Sequence, residues 1–147
     1  MDRVLYFSGM YLGELTRYIL CDLTQKGLLF QGSAEALTIL SRGSVFQTAH
    51  ISTIESDTDG DRLGQAWAVI QELGLTGVAS RLDARLVMYV SQCVAIRASV
   101  LAAAGVSALL NKMSRRSVTV GMDGSLYKFH PHFQVVHTNF LSFTINH

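Results

Sequence analysis

Residues 86–110 read LVMYVSQCVAIRASVLAAAGVSALL, and the fold turns on whether this run lies in lipid or in protein. It is long and apolar enough to cross a bilayer, whose hydrocarbon core takes about 20 such residues. Arg97, near its middle, argues the other way, since a charge there opposes insertion by about 2.5 to 3.5 kcal/mol. Gln92, Ser91, Ser99 and Ser107 add further polar groups. The run is therefore read as a central helix, from about Ser80 to Ser114, apolar nearly all round and enclosed by other elements. Its Ala and Gly positions let neighbours come close. No membrane span is expected.

Outward from this helix the periodicity stays helical towards the N-terminus. Leu63, Ala66, Trp67, Ile70 and Leu73 share one face of a helix from Arg62 to Leu73, and Gly74 ends it. Ser8 and Gly9 precede another amphipathic run, Leu12, Leu15, Ile19 and Leu23, closed by Lys26 and Gly27 in the order a helix end prefers. A loop with Gly32 leads to a short helical piece over residues 34–40, and Arg42 and Gly43 break the pattern. Ser52 and Glu55 have the spacing of a capping box, although the acidic run that begins there, ESDTDGD, reads as a loop. Beyond the long helix the period drops to two. Val118, Val120 and Met122 alternate with Thr119 and Gly121 as in a strand. Asp123-Gly124 is a strong hairpin signal because that turn needs positive φ, and residues 126–129 are the expected returning strand.

A chain of 147 residues, 49% hydrophobic and 16% charged, can bury one sizeable core and reads as a single domain or part of one. Twelve basic against 11 acidic side chains leave a formal net charge of +1, so nucleic acid is not an expected partner. Cys21 and Cys93 give neither a disulfide framework nor a metal spacing. With no targeting signal in MDRVLYF, a reducing cytoplasm is the expected compartment.

No GxxxxGK[ST], GxGxxG or GxSxG occurs, so any chemistry rests on dispersed residues. Glu55, Asp57, Asp59, Gly60 and Asp61 imitate a calcium loop, but the twelfth place is Ala66 where the bidentate carboxylate belongs. A solvated acidic loop beside a helix N-terminus explains them better. His130, His132 and His137 could share a metal only with a further ligand and a structured surround, and no metal site is expected. Ser8-Gly9, at a helix start, can offer backbone N–H groups to a phosphate.

Read together, SGMYLGELTRYIL, KGLLFQG, FQTAHISTIESD, ELGL and TVGMDGSLYKFHPHF resemble the large lobe of eukaryotic hexokinases and glucokinases, in the same order and at similar spacing. The resemblance covers residues 8–133, between divergent ends at 1–7 and 134–147. It implies an α/β fold, here a mostly helical fragment of the large lobe of an actin-like, ribonuclease H-like ATPase. It also implies ATP with Mg2+ and a hexose as family co-substrates, with no tightly bound cofactor. Carried over residue by residue, it sets Gly9 and Met10 near the nucleotide phosphates and Thr48, Ala49, His50, Ile51 and Ser52 along the nucleotide. Asp123, Gly124 and Ser125 fall on the adenosine side, where a tight turn lets backbone come close.

The departures carry equal weight. The family's sugar-binding glutamate corresponds to Val4, which cannot accept a hydroxyl's hydrogen bond. Neither the glycine-rich segment that completes the ATP pocket nor the aspartate that acts as general base has a counterpart. Phosphoryl transfer depends on such positioning and charge-stabilising parts. The expectation is a hexokinase-family chain inactive alone, with a non-catalytic nucleotide-binding or interaction module as the alternative and self-association through exposed lobe surfaces.

Overall fold

The computed structural model describes residues 9–56, 63–113, 118–121 and 138. Among these, the chain forms α1 (Gly9–Gln25), a single 3-10 turn (Phe30–Gly32), α2 (Ala34–Leu40), α3 (Thr48–Glu55), α4 (Gly64–Glu72) and α5 (Arg81–Met113). Helix α1 packs against α2, α3 and α5, and α4 closes the group against α3 and α5. Leu12, Leu20, Phe46, Ile51, Ile70 and Val87 meet in one core. Three buried hydroxyls are satisfied within their own helices: Thr16, Thr24 and Ser91 donate to the carbonyls of Leu12, Leu20 and Val87, each one turn back.

Two glycines end helices by the same geometry. Gly27 and Gly74 take φ of 71° and 74°, and the residue after each donates back five positions, Leu28 to Leu23 and Leu75 to Ile70. That is the Schellman closure, which needs a left-handed residue at its bend.

Three expectations change. Ser52 and Glu55 do not start a helix; they lie in the later turns of α3, which begins at Thr48. Its N-terminus is closed instead by His50, whose Nδ1 accepts the Gln47 backbone N–H at 3.0 Å, the part a glutamate usually plays at that position. Second, the described residues do not enclose α5. Its Ala84, Val87, Val94, Ala95 and Ala98 line is buried in the core, while Tyr89, Ile96 and Leu109 are at least half exposed. By length and composition α5 could cross a bilayer; the described residues use one of its faces as a wall of the core. Third, Val118–Gly121 carry no strand, and none occurs among the described residues. A strand is defined by its ladder, and the expected partner, residues 126–129, lies outside the described residues.

The start of α5 is fastened to the 3-10 turn that follows α1 by one carboxylate. Asp83 Oδ2 accepts from the Ser80 N–H (2.7 Å) and hydroxyl (2.6 Å), and Ser80 Oγ accepts the Asp83 N–H at 3.2 Å, a reciprocal cap. Asp83 Oδ1 reaches 53 residues back to the buried Phe30 N–H at 2.7 Å. Phe30 and Gln31 there hold φ of 49° and 53°, a conformation that L-residues avoid by about 1 to 2 kcal/mol each.

Glu55, the last residue of α3, is only 7% exposed, and burial pushes its carboxyl up to about 7. Because the folded value lies above the unfolded one, the neutral form suits the folded state. The associated stability is complete below about pH 4.5 and is lost as pH rises through about 7, at most about 3 kcal/mol. Denaturant midpoints at pH 5 and pH 8 should therefore fall further apart in the parent than in Glu55→Gln. An equal separation in both would remove Glu55 as the source.

Candidate nucleotide site

The second turn of α1 meets the N-terminus of α3 because one residue has no side chain. Gly13, in the second turn of α1, lies so close to the backbone of residues 46–48 that an added Cβ would stand 2.5 Å from the Phe46 carbonyl oxygen and the Thr48 nitrogen. Its N–H donates to Thr48 Oγ1 at 3.1 Å. Gly9, the start of α1, lies one turn of rise, about 6 Å, along the helix from this contact.

Beside this crossing lies an open cleft of about 330 Å³, lined by Gly13, Glu14, Ser44, Phe46, Gln47, Thr48 and Ala49. Thr48 and Ala49 belong to the first turn of α3, where backbone N–H groups precede the helical pattern and the dipole favours an anion. Glu14 is the cleft's carboxylate, and both its oxygens are engaged. Arg17 Nε and Nη2 donate to them at 2.9 to 3.1 Å, and the Ser44 N–H donates to Oε1 at 2.5 Å. The Arg17 bonds hold the Glu14 carboxyl below the usual range, and Glu14 in turn holds the guanidinium above its own.

The residues expected along a nucleotide separate into groups. Gly9 and Met10 open α1, and Thr48 and Ala49 line the cleft. Ile51 is fully buried in the core, so only its backbone can approach a ligand, and Ser52 is half-buried. His50 is buried, with its ring edge-on to Phe46 at 5.2 Å. Since Nδ1 accepts from a backbone N–H, the neutral ring carries its hydrogen on Nε2, 3.3 Å from Glu72 Oε1. Asp123, Gly124 and Ser125, and the three histidines weighed for a metal, lie outside the described residues, as does the acidic run after Ser56. Among the described residues no group of three metal-ligating side chains stands together. Sequence reasoning passed over Gly13, Glu14, Ser44 and Phe46. Glu14 and Arg17 are three apart on one helix, which signals a pair, but nothing in the sequence ties them to Ser44.

With this geometry the chain can be set beside known proteins. The family model described as hexokinase matches residues 5–146. Human hexokinase-1 is 46% identical over 132 residues, 86% of this chain and 14% of that protein; mouse hexokinase-3 is 43% identical over the same shares. The structure of hexokinase from Schistosoma mansoni complexed with glucose superposes with a TM-score of 0.86 at 35% identity, covering 95% of this chain and 31% of that one. Sequence and backbone point to the same family. The chain belongs to the hexokinase family, and it spans 14% of the length of the curated relatives it matches.

Proposed function

We propose that this chain forms the nucleotide-facing part of the large lobe of an ATP-dependent hexose kinase, with that family's actin-like fold, and that alone it binds ATP with Mg2+ without transferring phosphate. The observation that carries the reading is that the second turn of α1 and the N-terminus of α3 line one cleft, held by the Gly13 approach to residues 46–48. Gly9, Met10, Thr48 and Ala49 would meet the phosphates through backbone N–H groups and the Thr48 hydroxyl. His50, Ile51 and Ser52 would lie along the nucleotide by backbone, and Asp123, Gly124 and Ser125 would form the adenosine side. Complete enzymes of the family transfer the γ-phosphoryl to the 6-hydroxyl of glucose or a similar hexose, in the cytoplasm, at the entry to glycolysis. Here Val4 takes the place of a sugar-binding carboxylate. Glu14 is committed to Arg17 and Ser44, so no lining residue of the cleft is a base for a sugar hydroxyl.

Calorimetry of the full chain with Mg2+-ATP, paired with a coupled assay for glucose 6-phosphate, should give binding heat and no product. Product above a blank would refute the inactivity; neither heat nor thermal shift would refute the nucleotide site. The exposed Tyr89, Ile96 and Leu109 of α5 favour a second reading, an interaction module. It is supported if the chain self-associates on sedimentation and shows no ATP heat.

A further inference from the structure

The connector from α2 to α3, residues 41–47, supplies Ser44, Phe46 and Gln47 to the cleft, yet much of what holds it comes from α1. Arg17 Nη1 donates to the Leu40 carbonyl at 2.6 Å, at the end of α2 where carbonyls lack helical partners. The same guanidinium grips both oxygens of Glu14, and Glu14 accepts the Ser44 N–H. Leu40, Arg17, Glu14 and Ser44 thus form one chain of hydrogen bonds that spans the connector. Ser44 sits in it at φ 61°, a value serine rarely adopts unless its surroundings impose it. Arg17 is 5% exposed and lies 4.2 Å from the centre of the Tyr18 ring. A buried ion pair adds little net stability over apolar side chains of the same shape. What it supplies here is a fixed geometry, and a counter-charge for a carboxylate that faces the cleft.

We infer that Arg17 and Glu14 are positioning residues for the nucleotide cleft: the pair locks residues 41–47 in the shape that exposes the first turn of α3, and Arg17 cancels the charge Glu14 would otherwise turn towards a phosphate. The inference deepens the nucleotide reading and rests on it, but the lock can be read with no nucleotide present.

The experiment measures hydrogen exchange of the 41–47 peptide and the Kd for Mg2+-ATP in the full chain. It compares the parent, Glu14→Gln, Arg17→Lys, Arg17→Met and the Glu14→Gln/Arg17→Met double variant, at a temperature where circular dichroism reports each fully folded. Glu14→Gln, at a side chain 27% exposed, keeps the test open should Arg17→Met fail to fold. The 41–47 amides should exchange at least tenfold faster in Arg17→Met, and also in Arg17→Lys, because a lysine lacks the planar fork whose separate nitrogens reach Glu14 and the Leu40 carbonyl. Amides of α4 should not change. ATP should bind roughly tenfold more weakly to Arg17→Met, and the double variant should recover part of that loss because no unpaired carboxylate remains. Exchange that is unchanged at the Ser44 amide, or that rises equally in α4, overturns the lock. Unchanged Kd in variants with faster exchange makes the pair merely structural and also overturns the inference. A parent chain that binds no ATP refutes the nucleotide reading instead, and the inference falls with it, whatever the exchange shows.

Discussion

Gly13→Ala is expected to lower stability by about 3 kcal/mol and to weaken any ligand held at the cleft, although it adds a single methyl group. The new Cβ would lie 2.5 Å from backbone atoms of three successive residues, Phe46, Gln47 and Thr48. None of these can rotate away as a side-chain tip can, so α1 and α3 must separate. Overpacking a close-packed interior typically costs about 1 to 3 kcal/mol, and a contact made entirely with backbone belongs at the upper end. Separation would also break the Gly13 to Thr48 hydrogen bond, the bond that aims the first turn of α3. Gly77→Ala is the control, because an added Cβ there meets nothing within 4 Å and should change stability by less than about 0.5 kcal/mol. Urea denaturation of the two variants decides the matter; similar midpoints would mean that α1 and α3 do not approach as described.

Asp83→Ala should lower stability by a comparable amount, about 3 kcal/mol. The carboxylate accepts three hydrogen bonds: from the Phe30 N–H, the Ser80 N–H and the Ser80 hydroxyl. Losing the cap of α5 accounts for about 1 kcal/mol, and leaving the buried Phe30 N–H unsatisfied for about 1 to 3. The left-handed pair Phe30 and Gln31 loses the bond that fixes it. Asp83→Asn keeps an acceptor oxygen but not two equivalent ones, so its denaturation midpoint should fall between parent and alanine. A loss below 1 kcal/mol in Asp83→Ala would show that the link between Phe30 and the start of α5 is dispensable.

Helices α1, α4 and α5 were legible because each is long enough for its apolar spacing to repeat, and two of them end on glycines that the Schellman closure requires. Helix α3 was not. Unlike the seven-residue α2, which the sequence marked over 34–40, it begins after Gln47 rather than a strong capping residue and is closed by a histidine. Ser52 and Glu55 imitate a helix start inside it because a capping box is only a spacing of residue types. At α5, composition reported apolar side chains nearly all round and could not say which of them meet a neighbour. The candidate site divides in the same way. The signature around Gly9 to Glu14 was visible as a string of residues; the carboxylate bonds that join it to Ser44 span 30 residues and leave no local pattern.

Local spacing and composition thus sufficed for the main helices, for the lack of a charge argument for nucleic acid, and for the family. Each of these depends on residue types at short range or on residues quoted in order. Three features came only from the folded chain. Gly13 is needed because α3 crosses it, Asp83 because Phe30 bends back to meet it, and Arg17 because Leu40 and Glu14 come within its reach together. Contacts of that kind depend on where distant backbone segments arrive once the core has closed.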